Sequence, residues 1–290
     1  MTTNNMAGPW NDECGEVEHT ATVLAHQAVG AMFLQPPTEF GMPINIVDAK
    51  TSRYKMNGLT KNGNQLHGMR FPIPAKPLTE DINSADQHLI CWDPRERELY
   101  EVITFQNRWF MPSNLRYWAT KGMTVTPEHP FPAEGLRFGQ MSAMVSGGPI
   151  VPTLLTRPEL DEKTGEFIDL DHAIGCSLPP QWFAARTCGP ASVTGWASDT
   201  DGYVTNLAKP HIRMGQRLRL RPDVRMVGWS PLELSIARTL QKHGLVCVMS
   251  GNPNVMACKF TVEKGQFTKK DRDSMRNLGK LTMHDFECVT

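Results

Sequence analysis

Apolar and polar positions alternate most strictly between Gln216 and Arg221. The order Gln-Arg-Leu-Arg-Leu-Arg predicts a half-buried strand with Leu218 and Leu220 on its inner face. Residues 86–104 carry a second alternation, in which Leu89 and Cys91, then Leu99, Glu101 and Ile103, alternate with their neighbours. Asp93-Pro94 falls between the two runs and predicts the turn of a hairpin. At Ser230 the period changes to that of a helix. Leu232, Ile236 and Leu240 share one face, Ser230 is a good N-cap, Pro231 suits the first helical position, and Glu233 completes a capping box. Lys242 and His243 fall in the last turn, where the helix dipole favours cations, and Gly244 supplies the stop. A weaker helix is predicted from Lys269 to Leu278, with Thr268 before it and Gly279 after it.

Between these helices, residues 245–250 and 255–262 flank Gly251-Asn-Pro-Asn254 and predict a hairpin with a four-residue turn. That turn would pair Met249 with Met256 and Cys247 with Cys258. Directly opposed residues on antiparallel strands have Cα atoms about 4.5–5.5 Å apart. Two buried, adjacent and reduced thiols are expected.

The rest of the chain is punctuated by turn formers. Residues 1–20 are polar and read as an arm, 35–45 as extended, and 51–68 as polar with turns at Asn57-Gly58 and Asn62-Gly63. Proline at 72, 74 and 77 forbids a helix there. Residues 105–148 read as loop or short strand, and 147–155 as extended. No repeat is visible. We therefore expect an arm over 1–20 and a single domain over 21–290. Its fold class is mostly β, a β-sandwich or jelly-roll with one or two packed α-helices.

Composition narrows the partners. The 290 residues carry 30 Lys+Arg against 30 Asp+Glu, a formal charge of zero. A nucleic-acid binder or an electrostatic membrane binder needs a basic excess, so neither partner is expected. Asp12, Glu13, Glu16 and Glu18 stand where a secretory signal would need basic and then apolar residues. The apolar stretch 21–34 is interrupted by His26 and Gln27 and is too short to span a bilayer. A cytoplasmic or virion location is expected. Seven cysteines without a CxxC disfavour a zinc site, and no metal or other cofactor is expected. Nucleotide-binding and common hydrolase motifs (GxGxxG, a Walker loop, HExxH, GxSxG) are absent.

Candidate chemistry is densest from Arg157 to His172, which holds Glu159, Asp161, Glu162, Glu166, Asp169, Asp171 and His172. Asp169 and Asp171 would share a strand face. This segment reads as a general acid/base site, as a divalent cation site, or as an acidic turn at Asp161–Gly165 with only His172 facing inward. Asp86 and His88, on one face of an extended segment, form a second candidate for proton transfer. Arg213, Arg217, Arg219, Arg221 and Arg225 fall close together, with Arg217, Arg219 and Arg221 on one strand face. Guanidinium forks of this kind match the carboxylates of an acidic sugar or of an acidic partner, and a solvated ion-paired face explains them as well. Trp92, Trp109, Trp118, Trp182, Trp196 and Trp229 are possible sugar-stacking platforms, with Trp109 and Trp118 the best exposed candidates.

Several stretches occur in a recognisable order. They are Gly41-Met-Pro-Ile-Asn-Ile-Val-Asp48, Phe71-Pro-Ile-Pro74, Asp86-Gln-His88, Leu99-Tyr-Glu101 and Gly148-Pro-Ile-Val-Pro152, followed by Arg157-Pro-Glu159 with Gly165, Ile168 and His172-Ala173. Met214-Gly-Gln-Arg-Leu-Arg-Leu220 and His243-Gly244 complete the series. In this order the chain, over roughly residues 40–290, resembles a family of uncharacterised bacterial β-sandwich proteins, many of them secreted. These carry D-x-H, GLPI-x-P, R-x-E…G-x-I-x-HA and MG-x-R-x-RL motifs. The chain departs from the family in having His-Gly for Tyr-Gly and only Glu159 of the acidic pair at the R-x-E element. The resemblance implies a β-sandwich with possible dealings with polysaccharide.

Two functions follow as expectations. In the first, the protein binds a polysaccharide, with or without cleaving it. Glu159 and His172 would be the acid/base residues, with Asp86 and His88 as second choices, and Arg217, Arg219, Arg221, Trp109 and Trp118 would hold the substrate. In the second it is a non-catalytic virion or assembly protein, a possible homo-oligomer whose arm lies on other protein subunits.

Overall fold

The computed structural model describes residues 33–35, 37, 41–55, 70–80, 88–96, 98–103, 106–107, 117–118, 121–125, 150–179, 183–187, 212–251 and 257–289. The described chain is mostly β. Its strands are β1 (Phe33–Gln35), β2 (Ile44–Ile46), β3 (Arg53–Lys55), β4 (Arg70–Pro72), β5 (Leu89–Asp93), β6 (Glu98–Ile103), β7 (Gln106–Asn107), β8 (Tyr117–Trp118), β9 (Lys121–Val125), β10 (Ile174–Leu178), β11 (Phe183–Thr187), β12 (Ile212–Met214) and β13 (Arg217–Leu220). Helix α1 (Pro231–Lys242) leads into β14 (Leu245–Ser250) and β15 (Ala257–Phe260), then α2 (Lys269–Ser274) and β16 (Phe286–Val289). No helix among the described residues is long and apolar enough to cross a membrane.

Two mixed sheets organise these strands. The larger has the order β1-β15-β10-β14-β13-β16, and the smaller β2-β5-β6-β9. The β5/β6 hairpin forms as the alternation predicts. The Asp93 carboxylate accepts the Arg95 and Glu96 N–H groups at 3.0 and 3.2 Å and closes its turn. Burial of β5 is two-sided rather than alternating. Ile90 and Leu99 enter the main core, which also holds the inner face of the larger sheet. Leu89, Cys91 and Tyr100, on the opposite face, pack with Val47, Phe71 and Ile73 in a second cluster. That cluster lies under β3 and β4, which pair antiparallel.

Local signals hold well around β13 and α1. Leu218 and Leu220 are fully buried, while Arg217 and Arg219 are half-buried. The α1 capping box is complete, with Ser230 Oγ accepting the Glu233 N–H at 3.3 Å and Glu233 accepting the Ser230 N–H at 2.8 Å. Leu232, Ile236 and Leu240 are buried as the helical spacing requires. Gly244 takes φ 79°, the left-handed conformation that a glycine stop provides.

Three expectations change. Helix α2 stops at Ser274, short of the predicted Leu278, and a 3-10 turn follows at Leu278–Lys280. The Asn277 N–H, which a continuing helix would direct to its own backbone, donates instead to Glu233 of α1 at 2.6 Å. Residues 151–153, read as extended, form a 3-10 turn whose first N–H groups, on Ile150 and Val151, meet the Glu101 carboxylate. The hairpin predicted over 245–262 does not form. Strand β10 lies between β14 and β15, parallel to the first and antiparallel to the second. Cys247 therefore faces Cys176 rather than Cys258. Strand β10 saturates the hydrogen-bonding edges of both strands, and a turn signal between β14 and β15 cannot report a third strand inserted from far away in sequence. Residues 252–256 of that turn lie outside the described residues.

The insertion creates a row of thiols. Cys176 Sγ lies 3.8 Å from Cys247 Sγ and also contacts the Cys258 thiol. None of the three is in a disulfide and all are fully buried, so the expected burial and reduction of Cys247 and Cys258 hold while their direct pairing does not. The Cys247 contact and burial push Cys176 well above the ordinary thiol value, against the lowering effect of Cys258; the Cys176 contact and burial push Cys258 the same way, and burial alone pushes Cys91 up to about 12. A thiol held protonated and out of solvent is a poor nucleophile. Alkylation of the folded protein with iodoacetamide at pH 8, mapped by peptide mass, should leave Cys91, Cys176, Cys247, Cys258 and Cys288 unmodified. The same treatment in denaturant should label all five.

At the next position along β10, an ideal Cβ on Gly175 would come within 2.5 Å of Thr153 Oγ1 and closer still to Thr261 Oγ1. Gly175→Ala should cost about 3 kcal/mol, at the upper end of overpacking penalties. Denaturant unfolding checks it, and a loss below about 0.5 kcal/mol would show that the three segments can separate.

Candidate functional site

The acidic segment folds as the turn that was one of its three readings. Leu160 bridges Phe167, the Gly165 N–H reaches Asp161 O at 2.8 Å, and Gly165 takes φ 71°. Asp161 accepts the Lys163 N–H, and this bond holds its carboxyl below the usual range. Asp169 and Asp171 do not act as a pair: Asp169 forks onto Arg238 of α1 at 2.9 and 3.0 Å. Asp171 is exposed beside the buried His172, and the His172 hydrogen bond outweighs burial in holding the Asp171 carboxyl low. His243, at the end of α1, adds a smaller contribution. The other His172 ring nitrogen faces Leu154 O at 3.2 Å. Glu159 is exposed, and its side chain bonds to none of the described residues. The two acid/base candidates thus share no hydrogen bond.

His88 is buried, and its Nδ1 lies 2.6 Å from Glu80 Oε2. Burial works to raise the Glu80 carboxyl, and the His88 bond and charge overcome it, leaving Glu80 below its ordinary value. Asp86, the expected partner, lies outside the described residues, as do Trp109, Trp182 and Trp196. Trp118 lies in β8, and its side chain is not described. Trp92 packs against the main core.

Two members of the arginine row, Arg219 and Arg221, are ion-paired. Arg219 opposes Glu287 across the β13/β16 register and bonds to it. Arg221 forks onto Asp223 at 3.1 and 2.7 Å. Arg213 donates to Gln216, and Arg217 also has a partner. The ion-paired face therefore describes Arg219 and Arg221. Arg221 differs in its position, at the rim of a cleft.

That cleft has a volume of about 390 Å³ and opens where the chain leaves β13. The 221–229 segment contributes Arg221, Asp223, Arg225 and Trp229, and the 277–285 segment contributes Asn277, Lys280 and Asp285. Trp229 is half-buried, packed against the core while lining the cleft. The Arg221 fork holds the Asp223 carboxyl below its usual range. Asp285 is occupied by the Thr282 N–H at 2.7 Å. Lys280 meets only the neutral Asn277 Oδ1, at 2.7 Å, and exposed Arg225 has no partner among the described residues. Three cations against two carboxylates leave the cleft one positive charge. Sequence reading named Arg221, Arg225 and Trp229 separately but missed Lys280 and Asn277, which carry no local signal.

One chemically unusual residue was also missed. Glu101 is fully buried and accepts the Ile150 N–H at 2.9 and 3.1 Å and the Val151 N–H at 3.1 Å. Burial raises its carboxyl to about 7, against the lowering effect of those backbone donors and of His88. The available signal was a glutamate at an inward position of the Leu99–Ile103 alternation. Among the described residues no group of His, Cys, Asp and Glu could hold a metal ion.

No protein family, curated protein or solved structure matches the chain.

The Glu101 shift sets a pH dependence. Its carboxyl stands at about 7 in the fold against an ordinary 4.5. The associated stability is present below about pH 4.5 and is lost as pH rises through about 7, a total on the order of 3 kcal/mol. The stability of wild type minus that of Glu101→Gln, from denaturant unfolding at pH 5 and pH 8, should fall across this window. A pH-independent difference would refute the assignment.

Proposed function

We propose that the protein is a carbohydrate-binding β-sandwich that takes a segment of polysaccharide into the cleft beside Trp229. The observation that carries this reading is an aromatic side chain fixed against the core and lining an open cleft among hydrogen-bonding groups. An indole offers a sugar its apolar ring faces, and polar neighbours bond the hydroxyls. Asn277, Asp223 and Asp285 supply those polar atoms here. The two mixed sheets that share one core support the sandwich part of the proposal. The ordered motifs and the bacterial β-sandwich family they resemble support both parts.

Binding is favoured over hydrolysis. The two carboxylates in the cleft are engaged by Arg221 and Thr282, and Glu159 and His172 do not line it. Glycosidases place two available carboxyls about 5–5.5 Å or 6.5–9.5 Å apart across the scissile bond.

A panel of neutral and acidic polysaccharides immobilised on a chip tests the reading. The full chain should bind at least one, and Trp229→Ala should weaken that binding tenfold or more, about 1.4 kcal/mol. Trp229→Phe, which keeps a ring against the core, should retain most of it, with the thermal midpoint recorded for each variant. Binding that is indifferent to Trp229→Ala would place the sugar elsewhere.

A further inference from the structure

We infer that the cleft selects an anionic sugar, a uronic acid residue whose carboxylate sits between Arg225 and Lys280 while its ring lies against Trp229. This rests on the proposed carbohydrate site and specifies its ligand. The argument is one of charge left over. Within the cleft, the Arg221 charge is consumed by a two-point fork onto Asp223. Asp285 accepts from the backbone and hydroxyl of Thr282, closing its own turn. The Lys280 ammonium touches an amide oxygen, which offers no countercharge. Arg225 is exposed and has no partner among the described residues.

Arg225 and Lys280, which line the same cleft, therefore touch no carboxylate among the described residues, and with the Asp285 charge counted the cleft keeps one positive charge. They come from segments more than fifty residues apart, so no local helix or strand pairing explains their juxtaposition. A carboxylate accepts from a guanidinium fork at two points and from an ammonium at one, so a single acid group can use both. The arginine–carboxylate match expected for the β13 row is thus moved to its far end and onto Lys280. Arg219, at the middle of the row, is closed by Glu287.

A neutral sugar would leave both charges solvated and gain only the stacking. An acidic one gains charge-assisted bonds to two exposed cations, a gain that added salt weakens. An acidic peptide could meet the same two cations but offers no ring for Trp229.

The full chain is titrated by calorimetry with alginate and galacturonate oligomers, with their carboxyl-reduced neutral counterparts, and with poly-glutamate, at 25 and 150 mM NaCl. At least one acidic oligomer should bind ten times more tightly than its reduced form at low salt, with the ratio shrinking at higher salt. The double variant Arg225→Gln/Lys280→Gln should abolish the ratio with the thermal midpoint unchanged. Arg95→Gln, in the exposed β5/β6 turn, should leave every titration unchanged. Equal binding of acidic and reduced forms, or a preference that survives the double variant, overturns this inference and leaves the carbohydrate site standing. Poly-glutamate binding as tight as the acidic oligomer overturns it in favour of an acidic protein partner. No binding of any sugar, acidic or neutral, overturns the carbohydrate reading itself.

Discussion

The structure turns on the close approach of three backbone segments at Gly175. Strand β10 passes through the middle of the larger sheet, and at Gly175 it has no side chain on the face where Thr153 and Thr261 meet. The Thr261 N–H donates to Gly175 O at 2.8 Å, and Thr261 Oγ1 donates to Thr153 O at 3.2 Å. Thr153 Oγ1 in turn donates to Ile150 O at 2.8 Å. A methyl group at 175 would occupy the space these hydroxyls use. The absence of one atom lets the 3-10 turn, the end of β15 and the central strand lock together.

From that junction the contact runs on to the second sheet. Glu101 projects from β6 and takes the N–H groups of Ile150 and Val151. The same short turn is therefore held by the larger sheet through threonine and by the smaller sheet through glutamate. Buried polar groups elsewhere also join distant segments. Glu233 joins the start of α1 to Asn277, and the Thr239 hydroxyl of α1 accepts the Leu170 N–H. A buried polar atom needs a partner, and here partners drawn from remote parts of the chain fix how those parts sit together. The cleft at Trp229 is the contrasting region. Its walls come from the same segments that Glu233 pins, yet two of its three cations, Arg225 and Lys280, meet no carboxylate among the described residues. Rigid support below and unspent charge above suit a binding surface better than a site of bond cleavage.

Much of the local structure was legible in the residues. The capping box at Ser230, the stop at Gly244, the β5/β6 hairpin and the inward Leu218 and Leu220 each depend on neighbours within a few positions. Their physics is contained in a short window. The acidic turn at Asp161–Gly165 is local in the same way. The candidate site was legible only in fragments. Arg221, Arg225 and Trp229 were visible as residue types, but one as part of a row, one as its neighbour and one among seven tryptophans. Lys280 and Asn277 had nothing to mark them, because a cleft wall is defined by what stands opposite.

The sequence by itself determined the strands β5, β6 and β13, where α1 begins and ends, and that the protein is mostly β, since periodicity and capping act over a single turn or hairpin. Only the tertiary structure decided the strand order. A four-residue turn between β14 and β15 favours their pairing, but the free energy is set by all the edges together. Strand β10 satisfies both edges while burying Cys176 between two other thiols. The same non-local placement decided that Glu101 is a buried clamp, that His88 answers to Glu80, and that Arg225 and Lys280 line one cleft.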